Sequence, residues 1–400
     1  MLRKFLFIAI LLVAQLQIVT AQKKEIALAK DNVKAGKSLV EAESSMRKLL
    51  CDSANKSNVK IWLVLFSAVK KQYEEVNEKM YLKQPADTAN FFSATFRMFG
   101  VLEGLDSIDA MPAKNGKVKL NYRKRHAEYL NSLRSNLYNG GLFYTARKNY
   151  QQAFDCFAAY IDCAEQPMFA DYDYRANDGK MPRAAFYAVY NGFKTGNVGQ
   201  TLRYADIAKK DTAKLDAIYQ YMAETYRAAG DTAHCVGVLE SGAARYPKSG
   251  YFFSHLFDYY FKHGDTKSAL ALCDKTIEAD SLSIVGLFAK STVLLSLKEY
   301  DGCIDLCNRI ISIDAKQADA YLNAGLAYFN QAVTLDLAKK HSRNDRTRML
   351  QLYRKALPYM QTYRSLAPGE KSQWAMPLYT IYLNLNMGKE FDEIDTLMRK

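Results

Sequence analysis

The chain has 400 residues, of which 49% are hydrophobic and 24% charged. Those proportions exclude an intrinsically disordered chain and an integral membrane protein. The surplus of +13 implies solubility and some attraction to anionic polymers or lipids.

The first residues carry an address. Arg3 and Lys4 precede an apolar run from Phe5 to Ala14, and Val-Thr-Ala at 19–21 supplies small residues for cleavage. This is the layout of a signal peptide over residues 1–21, with the mature chain starting at Gln22. The run is shorter than the roughly 18 apolar residues a membrane span needs. No cysteine sits near the cleavage point, so a lipid-anchored signal is not indicated. Cleavage would lower the surplus to +11 by removing Arg3 and Lys4. An exported chain is not expected to meet nucleic acid.

Residues 22–133 read as degenerate helical repeats, carried by "AGKSLVEAESSMRKLL" and "KIWLVLFSAVKKQYEEVNEKMYL". The stretch 102–120, with Pro112, Asn115 and Gly116, reads as a connection, and "KVKLNYRKRH" after it as a solvated basic segment. From residue 134 a period of 34 appears. Val189, Ala223, Phe257, Ser291 and Gly325 follow one another at that interval within apolar runs. Twelve residues after four of these anchors come Thr201, Cys235, Ala269 and Cys303. Four further on come Ala205, Leu239, Cys273 and Cys307. Two apolar stripes at helical spacing, repeated at a fixed interval, describe a hairpin of helices. Gly196, Gly230 and Gly264 are placed to end the first helix with a positive φ, and Asn197, Asp231 and Asp265 to cap the second. Two segments break the period: 168–181, expected as a polar loop with two exposed tyrosines, and 333–351, expected to lengthen a hairpin. Residues 369–400 read as a final helix pair capping the stack.

The small-residue slots and the repeat length resemble the tetratricopeptide repeat, specifically over 134–368. In "NLYNGGLFYTARKNYQQAFDCFAAYIDCAEQP", Gly141, Tyr144, Tyr150, Ala153 and Phe157 occupy the expected places. The chain also resembles uncharacterised exported repeat proteins of the Bacteroidota. The resemblance implies an all-α, right-handed superhelical solenoid of helix-turn-helix repeats in a Gram-negative periplasm or cell envelope. It offers no known activity.

Catalytic and metal signatures do not assemble. No phosphate-binding loop, nucleophile elbow or zincin motif occurs. His255 and His263 stand eight apart without further ligands. "DYDYRANDG" offers Asp171, Asp173, Asn177 and Asp178, but Arg175 and Ala176 stand where a calcium loop needs a ligand and glycine. The glycine pair in "NGGLFYTARK" is expected to open a helix and to serve packing. The seven cysteines are scattered and lack a CxxC pair, so they read as packing residues. No cofactor and no catalysis are therefore expected.

The better lead is the wall of first helices, the concave groove in solenoids of this kind. Arg183, Phe186, Tyr190 and Lys194 share one side of a helix, and Arg227, Tyr251, Asp258, Phe261, Lys262, Phe288 and Phe329 take comparable places later. Such an aromatic surface edged by charge suits an extended peptide or amphipathic helix of a protein partner. Family members that clamp a C-terminal carboxylate use Lys, Arg and Asn, whereas the nearest places here hold Tyr138, Phe186, Gln220, Ser254 and Phe288, so such a clamp is not expected. The alternative is contact with anionic lipid or glycan through Lys339, Lys340, Arg343, Arg346 and Arg348. An enzyme of unrecognised type is the remaining alternative.

Overall fold

The computed structural model describes residues 21–112, 116, 118–337 and 342–399. The signal segment up to residue 20, and Lys339 and Lys340, lie outside them. Every regular element among the described residues is helical. The chain divides after Asp231 into two compact units.

Unit 1 opens with helix α1 at residues 21–35, followed by α2 (Leu39–Cys51), α3 (Val59–Tyr81), α4 (Thr88–Asp109), α5 (Arg123–Ala146) and α6 (Tyr150–Asp162). Next come the short α7 (Tyr174–Asn177), then α8 (Met181–Thr195), α9 (Val198–Arg203), α10 (Ala205–Ala208) and α11 (Leu215–Ala228). Unit 2 comprises α12 (Thr232–Arg245), α13 (Gly250–Lys262), α14 (Thr266–Ala279), α15 (Ile284–Ser296), α16 (Tyr300–Ile313), α17 (Ala318–Asp336), α18 (Arg343–Leu366), α19 (Lys371–Asn384) and α20 (Gly388–Arg399). Within each unit, neighbours in sequence pack as antiparallel pairs, as short connections require.

The 34-residue register is physical. Val189, Thr201, Ala269, Ser291, Cys303 and Cys307 are fully enclosed. They are the small slots through which paired helices approach closely. Gly196, Gly230 and Gly264 have φ of 72°, 73° and 71°. This left-handed conformation ends a helix at little cost for glycine. Asn197 and Asp265 then accept the amides of Gln200 and Ser268, each at 3.0 Å, opening the next helix. Six of the seven cysteines are buried and all are free thiols, as packing residues would be; Cys51 is exposed.

Several boundaries differ from the sequence reading. The proposed division at 133/134 falls inside α5, and the supposed connection at 102–120 is helical as far as Asp109. Gly140 and Gly141 do not open a helix; they lie deep in α5. A Cβ at Gly141 would stand 2.5 Å from the Phe157 ring, so the packing role holds. The second helix after Gly196 is broken at Tyr204 into α9 and α10. Tyr204 is buried there and its hydroxyl donates to Asp162 at 2.9 Å. The described residues of the 333–351 segment carry α17 on to Asp336 and begin α18 at Arg343, where Ser342 and Asp345 form a capping box.

The 168–181 segment is not a solvated loop. It contains a 3-10 turn, Pro167–Tyr172, and α7. Tyr174, expected to be exposed, is buried, and its hydroxyl donates to Asn131 at 2.6 Å. Arg134 of α5 sits between the rings of Tyr160 and Tyr174, 3.8 Å from each centroid. Its Nη1 pairs with Asp178 at 2.7 Å and its Nη2 donates to the Tyr160 carbonyl at 2.9 Å. Burial works to raise the Asp178 carboxyl, but hydrogen bonds from Tyr160 and Arg134 outweigh it and hold the group below its ordinary value. Asp173 accepts the Ala176 amide, and Arg175 pairs with Glu165. Asp173, Asn177 and Asp178, three of the side chains that superficially suggested a calcium loop, thus serve the fold.

Candidate partner-binding surfaces

In unit 1 the aromatic side chains of α8 make two groups of ring contacts with the neighbouring helices. Tyr187 of α8 stacks on Phe157 at 5.3 Å, and Tyr190 of α8 lies 5.8 Å from Tyr221 of α11. Phe193 stacks on Tyr221 at 4.8 Å. Tyr190 is half-buried. The exposed Lys194 places its ammonium 5.6 Å from the Tyr190 ring and 5.7 Å from Phe193. This is a cation over an electron-rich aromatic surface.

The remaining expected groove residues of unit 1 are otherwise engaged. Phe186 is buried, with 8% of its surface exposed. It is therefore a packing residue and not groove wall. The physical reason is that α8 is covered by α5, α6, α9, α10 and α11 together. Arg183 is held by the carboxylate of Asp211, and Arg227 by that of Glu224 on its own helix.

In unit 2 the exposed stripe of α13 is clearer. Ser254, Asp258, Phe261 and Lys262 are all exposed at helical spacing. Phe253, Phe257 and Phe261 stack in a column with centroids 5.8 and 5.6 Å apart. The column begins buried at Phe253 and surfaces at Phe261, 39% exposed. Asp258 and Lys262 are exposed close to it in sequence. Tyr251 is half-buried against the His255 ring at 4.5 Å. Phe288 and Phe329 are partly covered by the cores they border, with Phe329 6.0 Å from the Tyr353 ring. They pack between helices more than they line a surface.

Of the basic run, Arg343, Arg346 and Arg348 are exposed along the first turns of α18. The sequence reading missed Tyr187, Phe193 and Tyr221. A signal for two of them was present, since Tyr187 and Tyr221 are spaced 34 residues apart.

No protein-family model matches the chain, and no curated protein is significantly similar to it. Solved structures are similar at low identity. The C-terminal part of a TPR repeat-containing protein from Cytophaga hutchinsonii is 13% identical, covering 64% of this chain and 91% of that one, with a TM-score of 0.41. MamA from Desulfovibrio magneticus is 18% identical over 46% of this chain and 95% of its own, with a TM-score of 0.35. Another MamA structure is 16% identical over 49% and 96%, also with a TM-score of 0.35. The resemblance to tetratricopeptide repeats rests on the chain's own geometry: hairpins of helices recurring at 34 residues and closed through small buried slots.

Proposed function

We propose that this protein is a non-catalytic scaffold of the cell envelope that captures a protein or peptide partner on the exposed faces of its first helices. The observation that carries the reading is the α13 stripe. An aromatic column surfaces at Phe261 beside the exposed carboxylate of Asp258 and the exposed ammonium of Lys262, a surface that gives contact area and polar selection together. The α8 edge, Tyr190 under Lys194, is a second element of the same chemistry. Export rests on the N-terminal sequence pattern alone.

Proximity labelling in intact cells, with mass spectrometry of the adducts, identifies the partner. Phe261→Ala/Lys262→Ala and Tyr190→Ala/Lys194→Ala variants then test the surfaces. Loss of the adduct with unchanged circular dichroism supports the reading, since truncating a hot spot typically costs about 2 kcal/mol or more. Undiminished capture by both folded variants overturns it. Capture that persists in them but disappears with 0.5 M salt assigns the site to Arg343, Arg346 and Arg348, because exposed charges are screened and aromatic contacts much less so.

A further inference from the structure

Unit 1 has an open cleft of about 640 Å³ between α2, α3 and α4. Its wall is apolar: Leu65 and Val101 are buried behind it, and Trp62 and the exposed Phe96 face it. Arg47 and Arg97 stand along it. A cleft of this size suits a small ligand or a short chain end.

Two glycines on α4 explain why the space exists. At Gly104 the Trp62 indole occupies the place of a side chain, with ring carbons 2.6 Å from where a Cβ would stand. The ring thereby packs against α4, and its Nε1 donates to the Lys56 carbonyl at 2.8 Å. One turn earlier, at Gly100, a Cβ would meet nothing within 4 Å. A glycine inside a helix costs stability relative to alanine. Here neither close packing nor a positive φ requires it. What its missing side chain does is keep the cleft clear.

The charge is unbalanced. Among the described residues bonded to one another here, Glu43 is the one carboxylate, and it is buried. It accepts Arg47 Nε at 2.9 Å and Gln72 Nε2 at 2.8 Å, and lies 3.1 Å from Arg97 Nε. Arg97 is fixed further by bonds to Ser93 Oγ at 2.6 Å and Gln72 Oε1 at 3.2 Å. Its buried Nε is off line for a hydrogen bond to Glu43. Two guanidiniums face one carboxylate, so the network keeps a positive charge beside an apolar wall. Arg47, which lines the cleft, is 45% exposed.

We propose that this cleft binds a carboxylate at the end of an apolar body, with the body against Trp62 and Phe96 and the carboxylate on Arg47. A free fatty acid and the apolar C-terminus of a peptide share that chemistry. The site is independent of the first-helix surfaces and stands or falls separately.

The chain has two tryptophans, so Trp374→Phe in the full-length mature protein leaves Trp62 as the sole reporter. In the otherwise unchanged protein, alkylation of the exposed Cys51, which lines the same cleft, gives a second readout. Submicellar decanoate and acetyl-Leu-Leu-Phe are the probes, with decanol and the peptide amide as uncharged controls. Saturable Trp62 quenching and slower Cys51 alkylation are expected with a carboxylate, at about tenfold tighter affinity than with its control. Response to decanoate alone identifies a fatty-acid site, and response to the peptide alone a chain-terminus site; either supports the proposal. Arg47→Gln is expected to remove the tenfold preference and leave decanol binding unchanged. Gly100→Phe should fill the cleft and abolish binding, while Gly100→Ala retains it. If Gly100→Phe does not fold, the Arg47→Gln comparison decides. The proposal is overturned if neither carboxylate binds, if the uncharged controls bind equally well, or if folded Gly100→Phe binds normally.

Discussion

Replacing Arg134 with Met removes the guanidinium that ties the 168–181 segment to α5 while keeping an apolar stem of similar length. The charge is 8% exposed, paired to Asp178 at 2.7 Å and enclosed by two tyrosine rings at 3.8 Å. Removing the guanidinium leaves the Asp178 carboxylate buried without its countercharge, at a cost of about 3–5 kcal/mol. In a stack of repeats this cost is felt locally, so hydrogen exchange is a better assay than a global melt. Each 1.4 kcal/mol is a factor of ten, so amides of α6 and of 167–178 should exchange roughly 100- to 3000-fold faster. Proteolysis within the segment should rise in parallel. Adding Asp178→Asn to the variant should recover part of the loss, because no buried charge is then stranded. An increase in exchange below tenfold, or additive effects of the two substitutions, would refute the claim that this pair holds the segment in place.

Burial and the nearby charge of Asp162 push the Glu103 carboxyl up to about 7. A folded-state pKa above the ordinary carboxylate value means the penalty grows as pH rises from about 4.5 through 7 and is constant above. Glu103→Gln should therefore stabilise unit 1 by up to about 3 kcal/mol at pH 8 and by little at pH 5, read by denaturant titration at both values. Gly192→Ala would put a Cβ 2.7 Å from the backbone at Gln200 and Thr201, costing about 1–3 kcal/mol by overpacking. Gly237→Ala, whose Cβ meets nothing within 4 Å, should instead gain about 0.5–1 kcal/mol, and thermal melts separate the two. N-terminal sequencing of the envelope fraction should begin at Gln22; an intact Met1 on a cytosolic chain would remove the export reading.

The hairpin was legible in the sequence because its determinants are local. A glycine that must take φ near 70°, a cap one residue on, and small slots at fixed offsets need no knowledge of distant residues. Gly264, Asp265 and Ala269 illustrate all three. What escaped depends on pairing across the chain. Tyr174 reads as an exposed loop residue until Arg134, forty positions earlier, is placed beneath it. Phe186 carries the same periodicity as Tyr190, and only the helices packed around α8 decide that one is buried and the other half-open. The break at Tyr204 has the same origin, since its hydroxyl is drawn to Asp162 on another helix. The Gly100 cleft left no mark in the repeat pattern, because it lies before residue 134, where no 34-residue period is readable.

The central claim, that the exposed first-helix faces capture a partner, is tested most directly by a photo-crosslinking residue placed at position 261 in living cells. A matched residue at position 40 serves as control, since Val40 is 65% exposed and lies outside those faces. A discrete adduct from position 261 and none from position 40 is the predicted result. No adduct from 261, with a discrete one from position 346 in the basic segment, would contradict it.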